Sequence, residues 1–482
     1  MQYYLAIDIG ASSGRHVLGY VQNGKFTVEE IHRFENRQVR KNGHDCWDVE
    51  NLRNGIIDGL KACKTAGKIP VSLSIDTWGV DFFLLDKDGN EVGDAVAYRD
   101  DRTEGMDKVV EESISFQDLY TLTGIAKAPY NTIYQLTALK REHPEQLEQA
   151  DCLLMSPNYY LYLLTGKKVN EYTIASTSGM LNAKDKVWDE ALLDTLGLKK
   201  SLFLQPQMPG TVVGNLRPEI RDEVGFDTTV ILAACHDTGS AFLTIPAKDD
   251  NAVYISSGTW SLLGVENEVP ITTEEAQKEG FTNEGGAWGR YRFLKNIMGL
   301  WIIQSIRREL NGTDYVQKGE ARKKAEKQWS FPDLIREAES AEDFPSVIDV
   351  NKDRFLSPDS MIEEIKTECR ETGQPVPETI GELLQCAYKS LVQCYCKAIE
   401  GLQVLTGKTY TSINIVGGGC QDMYLNRLTA KATGRTVYAG PVEGTAIGNI
   451  LVQMVAQGEL KNLQHARDLV RDSFEIKTIP AE

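Results

Sequence analysis

One pattern occurs twice in this chain, and it limits the folds available. Tyr4-Leu5-Ala6-Ile7-Asp8-Ile9 reads as a buried strand that closes on the small-residue turn Gly10-Ala11-Ser12-Ser13-Gly14, and His16-Val17-Leu18-Gly19-Tyr20 returns from it. Much later, Asn251 to Ser257, Gly258-Thr259 and Trp260 to Gly264 repeat strand, glycine turn and strand. Placing Gly258 on Gly10 is an offset of 248, whereas placing Gly264 on Gly19 is 245, so the second turn reads as three residues shorter. Solenoid repeats recur every ~20–50 residues. A period this long instead implies a duplicated domain. The 482 residues are also too many for one ordinary core, and the expected division is 1–245 and 246–482.

Between the two hairpins the periodicity predicts mixed α/β structure. Asn23-Gly24 signals a hairpin into a strand over 26–34, followed by a helix near 48–66 and a strand at 71–76. Residues 103–165 read largely as helices, on the spacing of Leu136, Leu139, Leu147 and Leu153. A Lys/Glu-rich helix is expected near 317–327 and a long helix near 377–406. A strand at 412–416, Gly417-Gly418-Gly419, a helix to about Thr433, a strand at 436–439 and a last helix from about Gly444 complete an α/β pattern with crossover helices.

Charge and composition remove several classes of function. A formal charge of −17 argues against nucleic acid or an anionic membrane surface as partner. It leaves room for a small phosphorylated ligand, which needs only local donors. No basic leader precedes the first strand and no 18-residue apolar run occurs, so a cytoplasmic protein without a membrane partner is expected. The nine cysteines include no C-x-x-C and read as reduced thiols. Gly401 to Thr409 imitates a P-loop but has five residues between its glycines and closes a helix, the reverse of the required context.

The turns are suited to phosphate. Glycine lets the backbone approach an anion, and exposed N–H groups with Ser and Thr hydroxyls donate to its oxygens. Asp8, at a strand end, cannot bind phosphate itself but can hold a divalent cation, usually through water. A second carboxylate poses a sharper question. In Ala233-Ala234-Cys235-His236-Asp237-Thr238-Gly239-Ser240, a buried run ends and a helix begins at Asp237. Asp237 either caps that helix or accepts a proton.

In order and spacing, Asp8 to Arg15, Ser256-Ser257-Gly258-Thr259-Trp260 and Val416-Gly417-Gly418-Gly419 resemble the FGGY carbohydrate kinases of the actin-like ATPase superfamily. The resemblance covers essentially the whole chain. It implies two ribonuclease-H-like domains, each a mixed five-stranded sheet with flanking helices, around a central cleft. Sugar would lie mainly on the first domain and ATP mainly on the second. The resemblance further implies ATP contacts from Ala11, Ser12, Ser13, Gly14, Arg15, Thr259, Gln304 and Gly418. Sugar contacts would come from Gly79, His236, Asp237, Thr238 and Asn296, with Asp237 as proton acceptor and Asp8 near Mg²⁺. Asp76-Thr77-Trp78-Gly79-Val80-Asp81-Phe82, Tyr98-Arg99-Asp100, Cys235 to Ser240 and Phe293 to Trp301 carry a closer resemblance within the family, which implies L-rhamnulose as the sugar, with L-fuculose, L-xylulose or a polyol as alternatives. Trp78 could face a deoxy methyl group, and Asp81 could bind a hydroxyl or cap a turn. Two generic family elements are absent: Ala128 to Gln135 lacks Lys-x-Trp, and Arg427 to Lys431 replaces Gln-x-x-Ala-Asp. A non-enzymatic actin-like nucleotide binder is the remaining reading, although it would have no need of a base such as Asp237.

Overall fold

The computed structural model describes residues 1–247, 249–312 and 327–481. It divides into two compact units that interleave along the chain. The first comprises Met1–Pro246, Val265–Leu294 and Glu443–Phe474, and the second Ala247–Gly264, Lys295–Val442 and Glu475–Glu482.

In the first unit the strand Tyr3–Ile9 pairs antiparallel with Ser13–Gln22, which pairs antiparallel with Lys25–Glu35. On its other side Tyr3–Ile9 runs parallel to Pro70–Thr77, and that strand runs parallel to Thr229–Ile231. An antiparallel edge strand, Val212–Asn215, makes this sheet six-stranded, one more than expected. Alternation in the first strand sends Leu5, Ile7 and Ile9 to one core, shared with Leu52, Ile56 and Leu60 of the helix Val49–Thr65. Tyr4 and Ala6 face the other way, onto Ala446, Ile447 and Ile450 of the helix Gly444–Ala456. Helices therefore cover both faces of this mixed sheet, whose central strands run parallel.

The second unit repeats this topology. Ala252–Ser257 pairs antiparallel with Trp260–Asn267 and parallel with Ser412–Val416. Thr436–Ala439 continues in parallel, and Lys477–Ile479 closes the edge antiparallel. The long helix Ile380–Thr406 starts at a capping box of Thr379 and Glu382 and ends at Gly407 in the left-handed conformation. That helix end accounts for the false P-loop.

The ladders correct the repeat. Ile9 faces Gly14 and Ser257 faces Ser261, so the second turn is one residue shorter, not three. Gly264 pairs with Tyr254, the counterpart of Ala6, and thereby corresponds to Val17 rather than Gly19. Gly19 is glycine for a local reason: a Cβ there would lie 2.8 Å from both Ile450 and Phe26. Other differences are smaller. Leu153 lies not in a helix but in the strand Cys152–Met155, paired with Phe82–Leu85. The chain continues after Gly444–Ala456 into a further helix, Leu463–Ser473, and the last strand. The helix expected near 317–327 lies almost wholly outside the described residues.

Candidate active site

Parallel strands end together, and in the first unit three of these ends carry carboxylates. Asp8 stands in register with Asp76 on the neighbouring strand. One step further across the sheet, Thr77 bridges to His236, immediately before Asp237. Crevices at the carboxyl ends of parallel strands are where open α/β sheets bind ligands. Asp76 is fully buried; its Oδ2 accepts from Asn449 Nδ2 at 2.6 Å, while Oδ1 has no hydrogen-bond partner. Burial, reinforced by the Asp8 carboxylate, pushes Asp76 well above the usual carboxylate range.

His236 is the residue before the helix Asp237–Leu243, and Asp237 is its first residue. The Asp237 carboxylate does not reach back to cap. Its Oδ1 accepts from the Thr238 N–H at 2.5 Å and the Thr238 hydroxyl at 3.0 Å, and lies 3.4 Å from His236 Nε2. Its side chain keeps 33% exposure, so a ligand can reach it. Burial raises its pKa, and the Asp8 carboxylate adds to that shift. The helix lies so close to Gly444–Ala456 that a Cβ on Gly448 would fall 1.8 Å from the Ser240 carbonyl oxygen.

The turn after Asp8 is open where anions would approach, with Ala11 and Ser12 exposed and Ser13 half-buried. Asn36 fixes it by donating from Nδ2 to the Gly10 carbonyl at 2.9 Å and from its backbone to Ser12 O at 3.1 Å. Gly14 packs against Phe34, where a Cβ would come within 2.2 Å of the ring. The Arg15 guanidinium is already paired, with Asp8 Oδ2 at 2.9 Å and with Glu443. Gly79 is half-buried beside Thr177. The next residue, Val80, has φ +70°, an uncommon strain for a β-branched residue, held by Thr177 and Thr132.

The second unit has its own set. Thr259 is exposed in the turn, and its carbonyl accepts from the Trp301 N–H at 3.1 Å. This bond fixes the start of Trp301–Leu310, the helix that carries half-buried Gln304. In the glycine triplet, a Cβ on Gly417 or Gly419 would strike Ser257, whereas one on Gly418 would meet nothing within 4 Å. The outer two glycines permit packing, and the middle one presents bare backbone. Asn296 sits half-buried on the strand Tyr291–Met298, within the second unit, and its Oδ1 has no hydrogen-bond partner. Thus Asp8, the 11–15 turn, Gly79, His236, Asp237 and Thr238 share one unit, while Thr259, Gln304, Gly418 and Asn296 belong to the other.

Comparison with known proteins shows the family. Residues 3–244 match the N-terminal domain of the FGGY family of carbohydrate kinases, and residues 253–457 match its C-terminal domain. The chain belongs to this family. A rhamnulokinase of Oceanobacillus iheyensis is 47% identical over 99% of this chain and 98% of its own length, and that of Bacillus subtilis is 42% identical over 98% and 94%. Among solved structures, a xylulose kinase from Lactobacillus acidophilus shares the fold at TM-score 0.78 and 18% identity, covering all of this chain and 94% of its own. A Plasmodium falciparum glycerol kinase with ADP reaches 0.75 at 14%, covering 99% and 94%.

Several residues around this candidate site carry no signal in the sequence. Arg292, wholly buried, donates from Nη2 to His236 Nδ1 at 2.8 Å and lies 3.1 Å from Glu284 Oε2. Burial alone would raise Glu284, but the Arg292 guanidinium brings it below its usual range. Glu171 accepts from Thr173 N, the Thr173 hydroxyl, Ile174 N and Cys235 N, while Thr173 Oγ1 accepts from His236 N at 3.2 Å. No motif marks these residues; only the parity of Arg292 within an apolar strand hints at a buried cation. Asp81 has a third role. Its Oδ2 accepts from the indoles of Trp47 and Trp78 at 2.7 and 2.8 Å, and Oδ1 accepts from Gln135 at 3.1 Å. With Trp78 only 7% exposed and packed on Trp47, this group is a buried polar clamp.

Proposed function

We propose that this kinase transfers the γ-phosphoryl group of ATP to the C1 hydroxyl of L-rhamnulose, yielding L-rhamnulose 1-phosphate and ADP, in cytoplasmic L-rhamnose catabolism. The observation that carries this reading is 47% identity to a curated rhamnulokinase over nearly the full length of both chains. Phosphoryl transfer needs positioning, neutralised charge and a destination for the hydroxyl proton. Asp237, reachable from solvent beside His236, provides that destination. As the sugar O–H proton moves to the Asp237 carboxylate, its oxygen bonds the γ-phosphorus, and the bond to the β-phosphate oxygen breaks with its electrons leaving on ADP.

The residues implied by the family resemblance take corresponding roles. Ala11 to Arg15, Thr259, Gln304 and Gly418 contact ATP; Gly79, His236, Thr238 and Asn296 contact the sugar. Residues 1–245 and 246–482 serve as sugar-binding and nucleotide-binding halves. Mg²⁺ fits as a water-held ion. Among the described residues no three His, Cys, Asp or Glu side chains form a direct ligand set, yet Asp76 Oδ1 is buried without a partner beside Asp8. When bound, Mg²⁺ neutralises charge on the β- and γ-phosphate oxygens. Asp8 and Asp76 would hold its waters, while Arg15 keeps Asp8 oriented.

The test is ADP release over a panel of L-rhamnulose, L-fuculose, L-xylulose and glycerol. The reading stands if L-rhamnulose has the highest kcat/KM and fails if another acceptor equals it.

A further inference from the structure

An arginine N–H at hydrogen-bond distance from an imidazole nitrogen determines where the imidazole proton is. Arginine offers donors only and stays protonated, so the nitrogen it faces must be the unprotonated acceptor. Arg292 Nη2 faces His236 Nδ1 at 2.8 Å, nearer than the Glu284 Oε2 oxygen at 3.3 Å, which could otherwise accept a proton from that nitrogen. The remaining ring proton then lies on Nε2, the nitrogen 3.4 Å from Asp237 Oδ1.

The surroundings make Arg292 a fixed reference. Its Nε donates to the Gly285 carbonyl at 2.9 Å, and its guanidinium carbon sits 5.8 Å from the ring centre of Phe242, on the helix that Asp237 begins. Gly285 is tied to Ser176 by a 2.7 Å bond from its N–H, on the same short helix as Thr173, which anchors the His236 backbone. The imidazole is thereby held from the ring side and from the main chain.

A consequence follows for the carboxylate. Both of its hydrogen bonds fall on one oxygen: the Thr238 N–H and the Thr238 hydroxyl donate to Asp237 Oδ1, and His236 Nε2 lies 3.4 Å from that same oxygen. We infer that Arg292, balanced by Glu284, is a positioning residue that fixes His236 as its Nε2–H tautomer, so that His236 and Thr238 occupy Asp237 Oδ1 and leave Oδ2 to take the sugar proton. This rests on the kinase reading for its chemistry, but its structural half concerns the protein alone. A flipped tautomer would turn an Nδ1–H against the Arg292 N–H at 2.8 Å, two donors facing each other.

The test has two independent arms. In ligand-free wild-type protein labelled with ¹⁵N-histidine, the His236 signals, assigned by their loss in His236→Asn, should show a protonated Nε2 and a bare Nδ1 at neutral pH. A protonated Nδ1 overturns the inference, whatever the enzyme phosphorylates. In the kinetic arm Arg292→Met removes the donor and should lower kcat roughly 10- to 100-fold with KM for ATP little changed. Arg292→Lys, which keeps N–H donors on a long stem, should recover most of that loss. Equal kcat for the Met and Lys variants overturns the inference. Should no sugar in the panel be phosphorylated while the wild-type tautomer is as stated, the substrate reading fails and the positioning of His236 stands.

Discussion

In the first unit Ile9 faces Gly14 across residues 10–13, and in the second Ser257 faces Ser261 across residues 258–260. Each hairpin's first strand continues into a parallel neighbour, so the two turns stand at equivalent strand ends. Their chemistry differs. The first ends in Asp8, in register with Asp76 and electrostatically coupled to Asp237. At the equivalent position the second has Ser256, followed by Ser257, Gly258 and Thr259, with Gly417 and Gly419 packed against Ser257. One scaffold thus supplies desolvated carboxylates, suited to moving protons and holding cations, and also a neutral cradle of hydroxyls and bare backbone. The ladder is shared, and where the first hairpin pairs Asp8 with Asp76 the second pairs Ser256 with Val416.

If the acidic strand ends perform the chemistry, neutralising Asp237 should have the largest effect. Asp237→Asn should reduce kcat by about 10²- to 10⁴-fold, while ATP affinity, measured by calorimetry, stays within a fewfold of wild type. Near-normal turnover would make Asp237 only a helix-start residue. In the wild type a base must be unprotonated, and burial has raised this carboxyl above 3.8. The acid limb of kcat/KM should therefore fall off above that value as pH is lowered. A limb at the ordinary aspartate position would show that Asp237 is not the titrating base.

Much of this division was legible in the sequence, because apolar runs, small-residue turns and strand-end carboxylates are local signals. Asp8, Asp237, the 11–15 turn and Gly418 carry their own context within a few residues. Arg292 and Glu284 do not. Their significance lies in meeting His236, 56 and 48 positions away along the chain, and a lone charge in a strand gives no hint of its partner. Likewise Asp81 read equally as a sugar ligand or a turn cap until Trp47 and Trp78 were seen to converge on it. Glycine is a poor marker of equivalence between the hairpins, because Gly264 stands where the first hairpin has Val17. Gly19 is glycine only because Ile450 and Phe26 crowd it.

The acidic side should also make the first unit the pH-sensitive one. Burial pushes Glu171 up to about 7, against the hydrogen bonds it accepts from Thr173, Ile174 and Cys235. Because its folded value lies above the ordinary 4.5, folding favours the protonated form. That contribution is complete below about pH 4.5 and is lost as pH rises through about 7, a change on the order of 3 kcal/mol. Urea midpoints at pH 5 and pH 8 should differ less in Glu171→Gln than in wild type. The same difference in both proteins would assign the pH dependence elsewhere.

The neutral side makes an opposite and finer prediction, because its glycines are not equivalent. Gly417 has φ +85°, and a Cβ would sit 2.8 Å from the Ser257 carbonyl oxygen, so Gly417→Ala should cost about 1–3 kcal/mol of stability. A Cβ on Gly418 meets nothing within 4 Å. Gly418→Ala should leave stability within about 0.5 kcal/mol of wild type. If the bare backbone there faces nucleotide, the same methyl group should weaken ATP binding while leaving the sugar KM alone. Thermal melts together with ATP and sugar titrations on this pair separate a packing glycine from a ligand-facing one. An Ala at 418 that leaves both stability and ATP affinity unchanged would remove Gly418 from the nucleotide site, and the neutral cradle would then rest on Thr259 and Gln304.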